Sequence, residues 1–529
     1  MQERSDVLIM GGGLAGLTLA IQLRRELPAL TVCVLERNRH PVPEAAFKIG
    51  ESTVEIGAHY LDSVLDLRAH LEARQLRKFG FRFFFNEGSE SLDDRIELGV
   101  SRVFPTPTWQ LDRGIFENFL AEHAVALGVE FLDGASVRNF ELAADGSDHI
   151  AHYTRGGGDH VARARWLIDA SGSQALIKRK LGLEEANAHD ANAIWFRIGA
   201  RIGIDDWHGG EWARRCDPPE RWRSTNHLCG PGYWAWLIPL SSGSHSVGIV
   251  ADNALHPLET INSFDKALAW FARHQPQLHR VLEAQRQHVQ DFAFQRHFSH
   301  GCKQVFSAQR WAITGIAGVF LDPFYSPGTD YIAFANTYIV DLIARDARGE
   351  AFARQIRQYE NLYFSFYRNM LTLYEGQYAM FGHAQWMPLK VLWDYAWYWG
   401  VLCPFFFQQR LTDLSLFARL AEPLARCAEL NREMQLLLRR VAGADPGTAR
   451  VEFLDQCDMP WFAELNRGLR DRLDAEGFQQ RIEDHALLLE RLAAQIARQA
   501  RIQRADALHD LPVLATLDID AEADLLRAA

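Results

Sequence analysis

Apolar positions change their spacing along the chain, and each change marks an element. Residues 6–10, Asp6-Val7-Leu8-Ile9-Met10, form a short apolar run leading straight into glycines, which predicts a buried strand. Helical spacing follows over residues 17–27, and a second apolar run over 31–35 predicts another strand. Residues 233–238 alternate Tyr233, Ala235 and Leu237 with Trp234, Trp236 and Ile238, so a strand there points both indoles to one face. From residue 346 the pattern turns helical and loses its glycine-rich turns. Tyr359, Tyr363, Tyr367, Met370, Tyr374 and Tyr378 recur at three- and four-residue steps, predicting one helix with an aromatic stripe whose plainest use is core packing. Residues 410–529 read as amphipathic helices rich in Leu, Ala and Arg, a scaffold with charges outside, and no repeat at a solenoid period interrupts them.

A chain of 529 residues is long for one core, and length alone favours roughly two to four structural units. The net charge of -11 excludes nucleic acid and anionic membrane as main partners, because either rewards a basic face. Seven cysteines lie scattered with no Cys-x-x-Cys pair, a pattern that suits a reducing cytoplasm and offers no metal site. The first apolar run belongs to the fold, which leaves no room for a signal peptide. Residues 395–407 are shorter than the roughly 18 apolar residues of a spanning helix and contain Pro404, so no transmembrane segment is expected there.

Gly11, Gly13 and Gly16 follow the first strand at the G-x-G-x-x-G spacing. Glycines there permit a tight turn, close approach of backbone to a pyrophosphate, and close packing of helix on strand. Glu36 ends the second strand, twenty residues beyond Gly16, where a carboxylate binds ribose hydroxyls. Leu14, Ala15 and Arg37 complete this candidate dinucleotide site. FAD and NAD share the fingerprint, and two later segments favour FAD. Gln110-Leu111-Asp112-Arg113 precedes an amphipathic helix, and Trp166-Leu167-Ile168-Asp169-Ala170-Ser171-Gly172 ends a strand in an acid and small residues. Both resemble segments of the flavoprotein group that includes aromatic hydroxylases, and the resemblance implies that Arg113, Asp169 and Gly172 lie against FAD. The expected fold is therefore α/β, an α+β composite. A Rossmann-like FAD-binding domain with a parallel sheet spans 1–345, a substrate-side β-sheet is interleaved at roughly 186–300, and a mainly helical region, 346–529, covers the substrate pocket.

A third flavin segment normally places an acid after its glycine. Here Ala312-Ile313-Thr314-Gly315-Ile316-Ala317-Gly318 carries Ile316 instead, followed by Phe320, Pro323, Ser326 and Gly328 spaced as F-x-x-P-x-x-S-x-G. With Trp234-Ala235-Trp236-Leu237-Ile238-Pro239, this resembles the flavin-dependent halogenases over roughly residues 5 to 345. Lys48-Ile49-Gly50-Glu51-Ser52 resembles the family's turn near the isoalloxazine, and Lys78 stands where its catalytic lysine stands, with Lys48 second for that role. The resemblance implies that FADH2, supplied by a separate flavin reductase, forms a C4a-hydroperoxide with oxygen. Chloride or bromide held near Pro327 and Gly328 then becomes hypohalous acid, with Gly315 and Phe320 among the flavin contacts and Lys78 and Ser326 as catalytic residues. Trp234, Trp236, Ile238, Pro239, Phe320 and Pro323 would wall a tunnel that keeps the substrate from the flavin.

Tyr325 stands where halogenases of free tryptophan carry a glutamate that helps the ring lose its proton. A phenol needs less help, so the expected substrate is a small electron-rich aromatic, phenolic in its chemistry, either free or tethered to a carrier protein. The rings at Phe381, Trp386, Trp393, Tyr395, Trp397, Tyr398, Trp399 and Phe405 suggest a roof over that pocket, with His383 either a base or a structural histidine. A monomer and a homodimer are both compatible with the sequence. The alternatives are an FAD-dependent monooxygenase or a flavin-dependent reductase on the same fold, and an idle flavoprotein that docks a partner through its aromatic C-terminal face.

Overall fold

The N-terminal apolar run forms strand Arg4–Met10, completely buried over its last four residues because both faces of a parallel sheet are covered. Helix Leu14–Glu26 returns the chain to strand Val32–Leu35, which pairs parallel with the first. Five strands run parallel in the order Glu130–Leu132, Val32–Leu35, Arg4–Met10, Gly158–Asp169 and Trp311–Ile313. The outer half of Gly158–Asp169 turns antiparallel against His149–Arg155, which pairs with Ser136–Glu141. This computed structural model describes residues 4–44, 48–85, 91–443, 452–519 and 525–526. It comprises two units, the first made of Met1–Gln75, Leu111–Asn187 and Ser299–Tyr367, the second of Leu76–Gln110, Ala188–Phe298 and Arg368–Ala529.

Within the first unit, helix Gly328–Ala347 is held to the nucleotide-side helix by Asn336, which is fully buried. Its amide donates to Ala15 O, Thr18 Oγ1 and Tyr60 OH at 3.3, 3.2 and 3.0 Å, and its Oδ1 accepts from Thr314 Oγ1 at 2.7 Å. One side chain thus fixes two helices and the end of a strand.

The second unit is built on an eight-stranded sheet in which Ala191–Ile198, His245–Asp252, Tyr233–Pro239 and Thr225–Gly230 pair antiparallel in sequence. Phe81–Phe84 joins parallel to Thr225–Gly230. One face of the sheet, with Ile194, Phe196, Leu228, Tyr233, Ala235 and Leu237, buries a hydrophobic core closed by helices Phe264–His274 and Pro276–Ala284. The C-terminal helices attach through strand Phe453–Asp455, which pairs parallel with Glu97–Gly99. No helix among the described residues is long and apolar enough to cross a membrane.

Two expectations need correction. The expected boundary at 346 does not separate the units, because residues up to Tyr367 group with the first. The reason is local: Tyr359 stacks on Tyr338 at 4.6 Å and its hydroxyl donates to Asp341 Oδ2 at 2.5 Å. The aromatic stripe is also not one helix. Helix Ala353–Leu371 ends before Tyr374 and Tyr378, and Gly376 takes φ +67° in the turn that follows.

Replacing Asn336 by Ala strands several buried partners and is expected to cost roughly 2–4 kcal/mol in denaturant unfolding of the purified chain. A change within measurement error would contradict this linking role. Burial pushes the imidazoles of His59, His70 and His300 down to about 4 and that of His245 to about 3. Their unfolded values lie near 6.5, so the unfolded chain binds more protons between these values and stability falls with falling pH. The thermal midpoint is therefore expected to drop as pH is lowered from about 6.5 towards 4; a flat profile would show that these rings do not stay neutral.

Candidate functional site

Gly11 leaves the first strand with φ +117°, and a Cβ there would lie 2.3 Å from Ala170 O, so the turn admits only glycine. At Gly16 an added Cβ would meet Gly11 O at 1.9 Å, the close helix–strand contact expected of the third glycine. Gly13 differs, since nothing lies within 4 Å of its would-be Cβ. It opens helix Leu14–Glu26, whose first turn has no side-chain cap, so backbone N–H groups and the positive helix end face open space. Glu36 is buried at the end of Val32–Leu35 and accepts from Gly12 N and Asn38 N, both at 2.7 Å. Arg37 is exposed beside it. An uncapped helix start, a glycine that leaves room for a diphosphate and a fixed acid together fit the adenosine half of FAD.

Arg113 opens helix Arg113–Ala126 and donates to Ile49 O at 2.6 Å. Fully buried Glu117, one turn on, pairs with both Arg113 and Lys48. This clamp holds the Lys48-to-Ser52 turn, in which Gly50 has φ +89° and Glu51 and Ser52 are buried. Asp169 accepts from Ser171 N at 3.0 Å and Oγ at 2.6 Å, and from Ile177 N at 2.6 Å. Burial pushes its carboxyl up, against these bonds, and its evident work is shaping the loop that carries Gly172.

Gly315 packs on the nucleotide helix, where an added Cβ would lie 2.8 Å from Ala15 Cβ. Ile316 is 38% exposed. Phe320 is fixed by paired backbone bonds with His300, each 2.9 Å. Pro323 O accepts from Ser326 N at 2.9 Å, and Ser326 adopts φ +52°. Pro327 then caps helix Gly328–Ala347, whose first turn again has no side-chain cap. Pro327 has no N–H, so any anion there meets the amide of Gly328 and those after it. Tyr325 is buried against Phe324 at 4.7 Å.

In the second unit the strand register sets Phe83 beside His227, His227 opposite Trp236, and Trp236 opposite Gly248. The indoles of Trp234 and Trp236 lie 5.6 Å apart on this face, as the alternation predicts. Gly248 makes the recess for Trp236, since a Cβ there would lie 2.2 Å from its ring. Trp236 Nε1 donates to Ser246 Oγ at 3.1 Å, and Trp234 Nε1 donates to Tyr378 OH at 2.9 Å. Ile238 shares the parity of the indoles. Pro239 does not, and this corrects its expected place in the same wall.

Lys78 lies between strands Leu76–Arg77 and Phe81–Phe84 and is 3% exposed. Its N–H donates to Thr108 O at 2.9 Å, and its Nζ sits 3.4 Å from the centroid of the Phe81 ring. The ring's negative face favours the ammonium where water cannot. Tyr395 reaches the same ring at 6.1 Å, so the C-terminal helices contribute to this face.

A sequence profile of the FAD binding domain family matches residues 4–221. The flavin-dependent halogenase chlA of Dictyostelium discoideum is 24% identical over 438 residues, covering 75% of this chain and 70% of that protein. The 1H-pyrrole-2-carbonyl peptidyl-carrier-protein chlorinase of Pseudomonas fluorescens is 25% identical over 341 residues, covering 61% and 72%. Over most of its length the chain is similar to flavin-dependent halogenases. Halogenase PltM, solved with phloroglucinol and FAD, shares the fold at a TM-score of 0.64 and 18% identity, covering 96% of this chain and 98% of that one. The matched domain supports FAD as the cofactor, and the chlorinase and similar enzymes that the chain resembles support a halide as co-substrate.

Three contributors escaped the sequence reading. Glu117 lies 69 residues from Lys48, Tyr378 belongs by spacing to the stripe, and His227 carries no motif. Of these, only Glu117 left a local signal, its place one helical turn beyond Arg113.

Gly13→Val places its Cβ where no protein atom lies within 4 Å. It is expected to leave the apo thermal midpoint within a few degrees and to weaken FAD binding at least tenfold, about 1.4 kcal/mol, by flavin fluorescence titration. Unchanged FAD affinity would contradict the placement of the diphosphate here.

Proposed function

We propose that this chain chlorinates or brominates a small electron-rich aromatic, a phenol foremost, with hypohalous acid captured at Lys78. The observation that carries this reading is the buried Lys78 ammonium over Phe81, on the sheet unit that also presents Trp234 and Trp236. Reduced by a separate flavin reductase, FAD supplies with oxygen the two-electron oxidation that turns halide into hypohalous acid.

The remaining work falls to side chains and amides. The uncapped start of Gly328–Ala347 offers N–H donors to the halide, with Ser326 set just before it. Lys78 donates a hydrogen bond to hypohalous acid, which polarises the oxygen–halogen bond and confines a reagent that would otherwise attack any nucleophile. Trp234 and Trp236, each tied by its N–H, form a rigid surface that bars the substrate from direct oxygenation. The phenolic preference rests on Tyr325 in place of an acid. The named relatives support a small activated ring: the Pseudomonas fluorescens enzyme acts on a carrier-bound pyrrole, and PltM was solved with phloroglucinol.

Lys78→Met keeps the side chain's bulk and removes its charge. With reduced FAD, oxygen, bromide and a phenolic probe, it is expected to lower the rate of bromo-product at least about a hundredfold. Hypohalous acid released to a thioether trap should persist. Bromination at the wild-type rate, or hydroxylated product without halogen from the unaltered enzyme, would overturn the reading.

A further inference from the structure

We propose that Lys178 is a positioning residue that presets the segment Gly315–Phe320 for the isoalloxazine end of FAD, an inference that rests on reading that segment as flavin-facing. Lys178 belongs to helix Leu176–Leu181 of the first unit and is 4% exposed. Its Nζ lies 2.8 Å from Gly318 O, 2.9 Å from His300 Nδ1 and 3.2 Å from Gly301 O. Three ammonium protons thus meet three uncharged acceptors.

An ammonium only donates, so Nδ1 of His300 is the acceptor and the ring's own proton sits on Nε2. Burial, and then the ammonium itself, push this imidazole down to about 4, which keeps the ring uncharged at neutral pH. Burial also pulls the Lys178 amine below its ordinary value, while Cys302, Glu184 and Asp169 favour its charge.

The three bonds join the two loops that the flavin reading invokes. Helix Leu176–Leu181 follows the Asp169 loop, and Ile177 N donates to Asp169 Oδ2 at 2.6 Å. Asp169 O accepts in turn from Thr314 N at 2.9 Å, immediately before Gly315. At the far end of the segment, His300 and Phe320 exchange backbone bonds of 2.9 Å, and Ser299 Oγ donates to Phe320 O at 3.3 Å. Gly318 lies between these two anchors, and Lys178 holds its carbonyl. Turning that buried carbonyl away would strand both it and a buried ammonium, so one loop geometry is selected before any ligand arrives. Lys178 therefore acts on the cofactor through Gly318 and Phe320.

Lys178→Met keeps the side chain's length and removes its charge and all three donors; Lys178→Gln keeps a neutral donor. In the chain without FAD, peptides spanning residues 315–321 are expected to exchange amide hydrogens at least about tenfold faster in Lys178→Met, and less so in Lys178→Gln. FAD binding, followed by flavin fluorescence, is expected to weaken about tenfold in Lys178→Met, whereas ADP, which offers only the nucleotide half, binds within about twofold of wild type. Lys178→Gln should recover part of the FAD loss, and it carries the same comparison where Lys178→Met does not fold. Equal losses for FAD and ADP, the mark of a merely structural role, would overturn the proposal, as would unchanged exchange at 315–321. Faster exchange with unchanged FAD affinity would overturn it by refuting the flavin-facing reading, leaving Lys178 a loop anchor alone. The FAD–ADP split in a chain that brominates no phenol would support the proposal and refute the halogenase chemistry.

Discussion

Strand pleating constrains this molecule more than any single contact. Because side chains of Tyr233–Pro239 alternate faces, burying Tyr233, Ala235 and Leu237 in the core forces Trp234, Trp236 and Ile238 to the other side. A one-residue slip would send the indoles into the core and expose the core residues to the other face. The register is pinned on both flanks, by Cys229 opposite Trp234 and by Gly248 opposite Trp236. Gly248 is doubly committed, since only a residue without Cβ leaves space for the indole lying over it. Core packing thus specifies on which face the two indoles lie, at no cost in separate contacts.

The first unit solves a different problem, holding loops rather than a flat face. Glycine turns, an uncapped helix start and a left-handed Ser326 are each weak structures alone. They are secured by buried polar side chains with long sequence reach: Asn336 ties the motif helix to Ala15, Glu117 ties Arg113 to Lys48, and Lys178 donates to Gly318 O at 2.8 Å and Gly301 O at 3.2 Å. Inside a protein such groups are costly unless fully paired, so these networks fix one loop geometry and penalise others.

What the sequence reveals divides along the same physical line. Short-range rules suffice for the strand–helix–strand start, the glycine turn, and the two faces of the Trp-containing strand, because each depends on spacing within a few residues. The Arg113–Glu117 pair is also readable in principle, being one helical turn apart, but the Lys48 contact to the same carboxylate is not. His227 depends on a parallel pairing with Phe81–Phe84 that spans well over a hundred residues, and no local pattern specifies that partner. The aromatic stripe misleads for a related reason: tyrosines at helical spacing continue beyond Leu371, but the backbone turns at Gly376. Periodicity reports what a helix would bury, not whether the helix continues.

That break in the stripe changes what Tyr378 can reach. Were the helix to run on through residue 378, the hydroxyl of Tyr378 would follow the same stripe as Tyr359 and Tyr363, which are packed in the first unit. Instead the turn carries Tyr378 into the second unit, where its hydroxyl accepts from Trp234 and its ring stacks on Phe381 at 4.5 Å. A buried indole N–H without an acceptor costs about 1–3 kcal/mol, enough to favour a rotated side chain over a rigid one. The same turn that defeats a purely periodic reading therefore keeps the indole upright, and residues after Leu371 help to orient what the sheet presents on its indole-bearing face.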